Sequence, residues 1–126
     1  MPTRAPKPSA KSVRLRLRIF SGDDIALGPG KVQLLKLVSQ TGSIRKAAAE
    51  MEMSYMRAWQ LIRTMNRCFR EPVVEAVRGG AQRGGAKVTG TGALVVDLYE
   101  QLEKESLKAT AGIRRQLARL LKAGSE

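Results

Sequence analysis

SIRKAAAEMEMSYMRAWQLIRTM, residues 43–65, decides the fold, because it predicts two helices joined by a very short turn. Ser43 is a good N-cap for the first helix. One apolar face follows at the i, i+3, i+4, i+7 spacing: Ile44, Ala47, Ala48 and Met51. Ser54 can cap the second helix, which leaves about three residues for the turn. A close crossing of two helices through such a turn is typical of the helix-turn-helix motif.

The second helix has an apolar side and a polar side. The apolar side holds Ala58, Leu61, Ile62, Met65 and Phe69. The polar side holds Met56, Gln60, Arg63 and Arg67, with Arg57 and Thr64 at its flank. Arginine and glutamine can form paired hydrogen bonds with guanine and adenine edges in the major groove. The pattern favours base reading by this helix, and a plain solvated face is the alternative.

The charge of the chain points to a polyanionic partner. Its 126 residues contain 23 Lys and Arg against 11 Asp and Glu, a net charge of +12. Nucleic acid is the leading candidate, and an anionic membrane surface is its rival. No stretch approaches the roughly 18 apolar residues of a spanning helix, and the N-terminus lacks a signal-type apolar core. We therefore expect a cytoplasmic protein without membrane attachment.

The residue inventory disfavours catalysis and metal binding. The chain has no histidine and a single cysteine, Cys68. Histidine is the commonest general base and a common metal ligand, and one cysteine cannot build a thiolate site. The glycines of the chain match no phosphate-binding loop. We expect no catalytic residues, no metal and no cofactor.

The N-terminal region divides into a tail and a strand. Residues 1–12 are basic and contain three prolines, so they predict a disordered tail that either attracts phosphates or has no role. Residues 13–19 alternate apolar and arginine side chains, which predicts a half-buried strand. Its arginine face could touch DNA, but protection of an edge strand is favoured. A core helix then runs from near Pro29 to Gly42.

A glycine-rich hairpin follows the helix pair. Residues 73–77 and 87–89 predict two short strands around a loop with four glycines and two arginines. Such a hairpin after a helix-turn-helix predicts the wing of a winged helix, although a plain hairpin is the alternative. The candidate wing and backbone contacts are Arg67, Arg78, Gly79, Gly80, Arg83 and Lys87.

The C-terminal segment predicts one long helix, capped by Thr89 and ending near Lys122. A helix of some 30 residues is too long for this domain to bury alone, so we expect dimerisation. The candidate dimer contacts are Val95, Tyr99, Leu102 and Ile113. Two alternatives stay open: the helix packs back on the core, or the segment after Gly112 forms a separate short helix.

Several paired residues resemble one family. They are Gly28-Pro29, Leu34-Leu35, Gly42-Ser43-Ile44, Ser54-Tyr55, Ala58-Trp59, Met65-Asn66, Arg78-Gly79-Gly80, Gly84-Gly85-Ala86, Thr89 and Gly92. Over roughly residues 13–105 the chain resembles the N-terminal DNA-binding domain of the ModE molybdate-responsive regulators. The part from Ser43 to Ile62 alone is also similar to the more distant LysR-type regulators. The resemblance implies a winged helix-turn-helix fold, dimerisation through the terminal helices, and transcriptional control from an operator.

The resemblance also assigns residues. Those matching the recognition helix are Ser54, Tyr55, Met56, Arg57 and Gln60, and Arg63 follows them on the same face. Trp59 is expected to pack in the core, whereas packing and phosphate contact both stay open for Tyr55. The family often has glycine in the turn where this chain has Glu52, which costs about 1 kcal/mol if the backbone there needs positive φ.

These observations predict a mainly α protein with a small β component. The expected parts are a tail (1–12), a winged helix-turn-helix domain (13–90), a long dimerisation helix (91–122) and a short end (123–126). The expected function is dimeric, sequence-specific regulation from double-stranded DNA, without the family's oxyanion-binding domain and with any signal coming from an effector or partner protein. A nonspecific architectural DNA-binding protein and a small oxyanion sensor are the alternatives.

Overall fold

The computed structural model describes residues 13–78 and 85–122. The elements in chain order are β1 (Ile19–Ser21), β2 (Asp24–Leu27), α1 (Pro29–Thr41), α2 (Ile44–Glu50), α3 (Tyr55–Cys68), β3 (Val74–Val77), β4 (Gly85–Val88), α4 (Gly90–Ala109) and α5 (Ala111–Ala118). Within these two ranges, five helices and two small antiparallel sheets confirm the predicted mainly α winged-helix architecture. The predicted N-terminal tail, the tip of the wing and the last four residues lie outside the described residues.

The chain divides into two compact units. Arg16–Gln101 is the larger and contains the helix-turn-helix and both sheets. The smaller contains residues 13–15 and 102–122 of the described chain, which include the end of α4 and all of α5.

Local signals set the bounds of α1. Pro29 occupies its first turn, where the missing N–H is no loss. Gly42 ends it in the left-handed conformation, with φ 71°, and its N–H donates to the Val38 carbonyl. One side of α1 enters the core, where Leu34, Leu35 and Val38 are fully buried.

The turn between α2 and α3 is a Schellman motif. Beyond Met51, the C-cap of α2, the Glu52 N–H donates to the Ala49 carbonyl (3.1 Å) and the Met53 N–H to the Ala48 carbonyl (3.0 Å). Glu52 is the left-handed residue of this motif, with φ 57°. It is the one non-glycine residue with positive φ in the described chain. The backbone of the turn therefore has the positive φ at Glu52 under which the sequence analysis expects strain.

Both predicted caps of the helix pair form. The Ser43 hydroxyl accepts from the Lys46 N–H, and the Ser54 hydroxyl accepts from the Arg57 N–H, each at 3.0 Å. Ala47 is fully buried and Ala48 almost so, which allows the close helix crossing that the alanine run predicted.

The first strand is displaced from its predicted position. Residues 13–18 form no strand, although their exposure alternates as predicted. The sheet instead pairs β1 with β2, which was not predicted, through a turn at Gly22, where φ is 60°. Apolar alternation identified the inward side chains, but strand pairing also requires a partner within reach, and β2 supplies one only for residues 19–21.

The second sheet is the base of the predicted wing. β3 and β4 are antiparallel, with Val74 opposite Val88 and Val77 opposite Gly85. β4 begins two residues earlier than expected and ends before Thr89. The Thr89 hydroxyl instead accepts from the Gly92 N–H at 2.9 Å, as predicted for the cap of the last helix. The Thr89 N–H still donates to the Val73 carbonyl (3.0 Å), but its own carbonyl accepts from the Ala93 N–H (2.9 Å), so the chain passes from the strand into α4 at this residue.

The single long C-terminal helix is corrected to two helices. α4 ends at Ala109, and α5 begins after Thr110, whose φ is −107°. The Thr110 hydroxyl donates to the Ser106 carbonyl (2.7 Å), and the Arg114 guanidinium donates to the Leu107 carbonyl (2.7 Å). These side chains satisfy carbonyls at the end of α4, so the helix can stop there. The break is two residues before Gly112, close to the alternative that the sequence left open.

Candidate nucleic-acid interface

The outer face of α3 is exposed, as a recognition helix requires. Arg57, Gln60 and Arg63 are all exposed, and Met56 retains 58% of its accessible surface. On the opposite side Ala58, Ile62 and Met65 are fully buried. The helix is therefore fixed by its apolar side, and its arginine and glutamine side chains face solvent.

An open surface depression of about 410 Å³ runs along one flank of this helix. Its lining residues are Arg57, Gln60, Leu61, Arg63, Thr64 and Arg67. Among them, three guanidinium groups and one amide offer hydrogen-bond donors, and no carboxylate takes part. The depression brings together residues that the sequence assigned to base reading and to phosphate contact.

Two further residues modify the charge at this flank. Arg67 forms an ion pair with Asp24 at 3.3 Å, and both side chains are about half exposed, so the pair is weak and can open. Lys31 on α1 donates to the Ile25 carbonyl, and burial lowers the pKa of Lys31, with the positive charge of Arg57 acting in the same direction. Lys31 was not among the predicted site residues, and its position beside Arg57 could not be inferred from sequence spacing.

Two aromatic side chains in the first two turns of α3 are partly exposed. Tyr55 is 41% exposed and Trp59 37% exposed, so the expectation that Trp59 packs in the core is corrected. Trp59 lies at the edge of the buried face, where the neighbouring Ala58 fills the core position. The guanidinium of Arg45, on α2, lies over the Tyr55 ring at 4.8 Å from its centroid. Sequence reasoning did not identify Arg45.

Asn66 joins the recognition helix to the wing. Its side-chain oxygen accepts from the Val73 N–H (2.7 Å) and the Val74 N–H (3.3 Å), and its Nδ2 donates to the Val74 carbonyl (3.2 Å). Three hydrogen bonds thus hold the start of β3 against α3. Asn66 was noted in the sequence only as part of the Met65-Asn66 resemblance, without a role for its amide.

The described part of the wing carries two of its predicted contacts. Arg78 is exposed just after β3, and Lys87 is exposed on β4 opposite Glu75. Gly79, Gly80 and Arg83 lie outside the described residues. The base of the wing is also fixed to the turn between α1 and α2, because the Ala86 N–H donates to the Gly42 carbonyl at 3.0 Å.

The predicted dimer contacts separate into buried and exposed residues. Val95 is 8% and Tyr99 3% exposed, and the Tyr99 hydroxyl donates to the Leu17 carbonyl at 2.8 Å. Both side chains belong to the protomer's own core, which corrects their assignment to a surface between copies. Leu102 and Ile113 are 43% and 62% exposed, so they remain available.

Two kinds of site are absent from the described ranges, a metal-binding cluster and a membrane-spanning helix. In residues 13–78 and 85–122, no group of three or more His, Cys, Asp or Glu side chains could hold a metal ion. No helix in these ranges has both the length and the apolar character needed to cross a membrane.

Known proteins resemble most of this chain, although no protein-family model matches it. It is 38% identical over 102 residues to the molybdenum transport protein ModE of Azotobacter vinelandii, covering 81% of this chain and 38% of that protein. It is 36% identical over 98 residues to the DNA-binding transcriptional dual regulator ModE of Escherichia coli K12, covering 78% and 35%. It is 36% identical over 83 residues to the molybdenum-pterin-binding protein MopA of Rhodobacter capsulatus, covering 66% and 31%.

The chain thus spans little more than a third of the length of the relatives it matches. None of the three carries the name of an enzyme. The matched portion is long enough to include all of the helix-turn-helix and the base of the wing. Identity at this level over about four-fifths of the chain shows that this protein is ModE-like, a homologue of the ModE transcriptional regulators.

Proposed function

We propose that this chain is a sequence-specific, DNA-binding transcriptional regulator of the ModE type that acts as a homodimer. The observation that carries the proposal is the exposed Arg57, Gln60 and Arg63 face of a helix whose other side is fully buried. A rigid helix of this kind fits the major groove, where its arginines recognise guanine and its glutamine recognises adenine. The relationship to a DNA-binding regulator supports the same function.

Base reading is assigned to Arg57 and Gln60, with Arg63 one turn further along. Met56 is in the first turn, where its exposed side chain can contact a thymine methyl group. Arg67, Arg78 and Lys87 are assigned to phosphates, because each is exposed at the margin of α3 or on the wing. Opening of the weak Arg67–Asp24 pair would release that guanidinium for DNA.

A dimer is proposed through the exposed leucines of α4. Leu94 and Leu98 are 56% and 52% exposed and lie four residues apart on one side of the helix. Leaving a row of leucines in water is unfavourable by about 25 cal/mol for each Å² of apolar surface. The proposed interface therefore moves from Val95 and Tyr99 to this neighbouring stripe. Two copies would place their α3 helices in successive major grooves about 34 Å apart.

Selection from a random duplex library tests sequence reading. We expect enrichment of a pseudo-palindromic motif with half-sites one helical turn apart, about 10 base pairs. Arg57→Ala should weaken binding to the selected site by about 1–3 kcal/mol and relax the base preference at one base pair of each half-site. Arg115→Ala, at an exposed arginine of α5, is the matched control. Equal weakening of all duplexes by Arg57→Ala would favour nonspecific, architectural binding instead.

Sedimentation at micromolar concentration tests the dimer. Leu94→Glu with Leu98→Glu should yield monomers whose thermal stability equals that of an isolated protomer, since neither side chain is in the core. Phe20→Glu, which changes an equally exposed apolar residue on β1, should leave the dimer intact. A wild-type chain that stays monomeric both free and on DNA would disprove the dimer.

A further inference from the structure

The contact between Arg45 and Tyr55 joins the two helices of the helix-turn-helix at the surface. Arg45 is in the first turn of α2, and Tyr55 is the first residue of α3. The guanidinium carbon is 4.8 Å from the ring centroid, within the range of about 6 Å for attraction between a cation and an aromatic face. At an exposed site this attraction is modest, but it favours one orientation of the arginine.

Arg45 has no acidic partner in the described chain. The ion pairs found within residues 13–78 and 85–122 are Lys36–Glu100 and Arg67–Asp24. No hydrogen bond from the Arg45 guanidinium to a described residue is formed either. A guanidinium group has five N–H donors, so those of Arg45 are available to a further partner. The Tyr55 ring favours one orientation of the group while these donors form no hydrogen bond to another described residue.

The position of this pair matches the edge of a DNA groove. In helix-turn-helix proteins the start of the second helix enters the major groove, while the first helix lies across the sugar-phosphate backbone. Tyr55 stands at that start, and Arg45 projects from the first helix of the pair. The Tyr55 ring is 41% exposed, and its hydroxyl has no hydrogen-bond partner among the described residues.

We propose that Arg45 and Tyr55 form a phosphate-binding pair that holds one backbone phosphate beside the groove entered by α3. This inference rests on the proposed DNA-binding function. Arg45 supplies paired charge-assisted hydrogen bonds to the phosphate oxygens, and the Tyr55 ring keeps the guanidinium in place. The contact positions the recognition helix and reads no base.

The test measures affinity for the selected duplex and for a scrambled duplex over a series of salt concentrations. Arg45→Ala should weaken binding to both duplexes equally, by about three- to tenfold. It should also reduce the slope of log affinity against log salt concentration by about one per protomer. Arg45→Lys should retain the slope, because the charge stays, but lose part of the affinity, because lysine lacks the planar guanidinium and its paired donors. Arg115→Ala, which removes the same charge from α5, should leave the slope unchanged.

A double-mutant cycle tests the role of the ring. Tyr55→Ala should weaken binding, and adding it to Arg45→Ala should cost less than it does alone, since the ring acts partly through the arginine. Thermal melts verify that each variant folds. Both positions are exposed and should tolerate the substitutions. Additive losses, an unchanged salt slope for Arg45→Ala, or a loss confined to one DNA sequence would each overturn the phosphate pair. Absence of wild-type binding to any duplex would instead overturn the DNA-binding function itself.

Discussion

Glu52→Gly is expected to stabilise the protein, although it replaces a residue in the middle of the DNA-binding motif. Glu52 adopts φ 57° at the left-handed position of the Schellman turn. A side chain with a Cβ carbon is strained there, whereas glycine adopts this conformation freely. Two hydrogen bonds of the turn, from the Glu52 and Met53 N–H groups, fix the conformation in the folded state.

The size of the effect follows from two opposing contributions. Removing the Cβ carbon relieves about 1–2 kcal/mol of left-handed strain. Glycine also gives the unfolded chain more freedom, which opposes the gain by about 0.5–1 kcal/mol. The net expectation is an increase of about 0.5–1 kcal/mol in the free energy of unfolding. For a domain of this size that corresponds to a rise of roughly 2–5 °C in Tm.

Urea unfolding followed by circular dichroism measures this change, with Glu52→Ala as the matched control. The alanine variant removes the carboxylate but keeps the Cβ carbon, so it should not gain the strain relief. If Glu52→Ala stabilises as much as Glu52→Gly, the effect comes from charge and the backbone explanation is wrong. A destabilised Glu52→Gly variant would refute it as well.

Two further predictions concern the packing that holds the wing. Gly92→Ala should destabilise the protein by about 1–3 kcal/mol in thermal melts, because its Cβ carbon would overlap the Val73 carbonyl and approach Val88 Cγ1 to 2.7 Å. Gly90→Ala, with open space at its Cβ position, is the control. Equal effects of the two substitutions would contradict the packing explanation. Asn66→Ala should destabilise by about 1–3 kcal/mol, since the Val73 N–H loses its 2.7 Å acceptor. Asn66→Asp keeps that acceptor and should therefore lose less stability than Asn66→Ala when both are unfolded in urea. A larger loss of stability in Asn66→Asp would argue against the acceptor role.

The helix pair was predictable because its signals are local. Ser43 and Ser54 each cap the helix that begins with the next residue, and Gly42 supplies positive φ at the end of α1. These residues act within three or four positions of themselves, so their sequence neighbours determine the outcome. The strain at Glu52 was conditionally predictable for the same reason.

The predictions for the first strand and the last helix were wrong, because periodicity does not show where a strand finds its partner or where a helix stops. Residues 13–18 alternate in exposure, yet only 19–21 find a pairing partner in β2. The end of α4 depends on hydrogen bonds from Thr110 and Arg114 side chains, whose geometry is not encoded in apolar periodicity. Helical spacing predicted a long segment correctly and could not show where it breaks.

The two apolar stripes of α4 show why a dimer interface is hard to predict from sequence periodicity. Val95 and Tyr99 lie four residues apart, as do Leu94 and Leu98, so periodicity alone does not say which pair enters the core. Packing against the protomer selects the first pair and leaves the second exposed. Arg45 was missed for a related reason, because its contact with Tyr55 exists only once α2 and α3 cross.

The most direct test of sequence-specific DNA recognition is a competition between the selected duplex and a scrambled duplex of equal length at about 150 mM salt. The proposed function predicts that the wild-type chain binds the selected site at least 10³-fold more tightly, the lower bound of about 10³ for specific recognition. It also predicts that Arg57→Ala lowers this ratio, whereas Arg45→Ala leaves the ratio unchanged while weakening both duplexes. A wild-type ratio close to one would contradict base reading by α3.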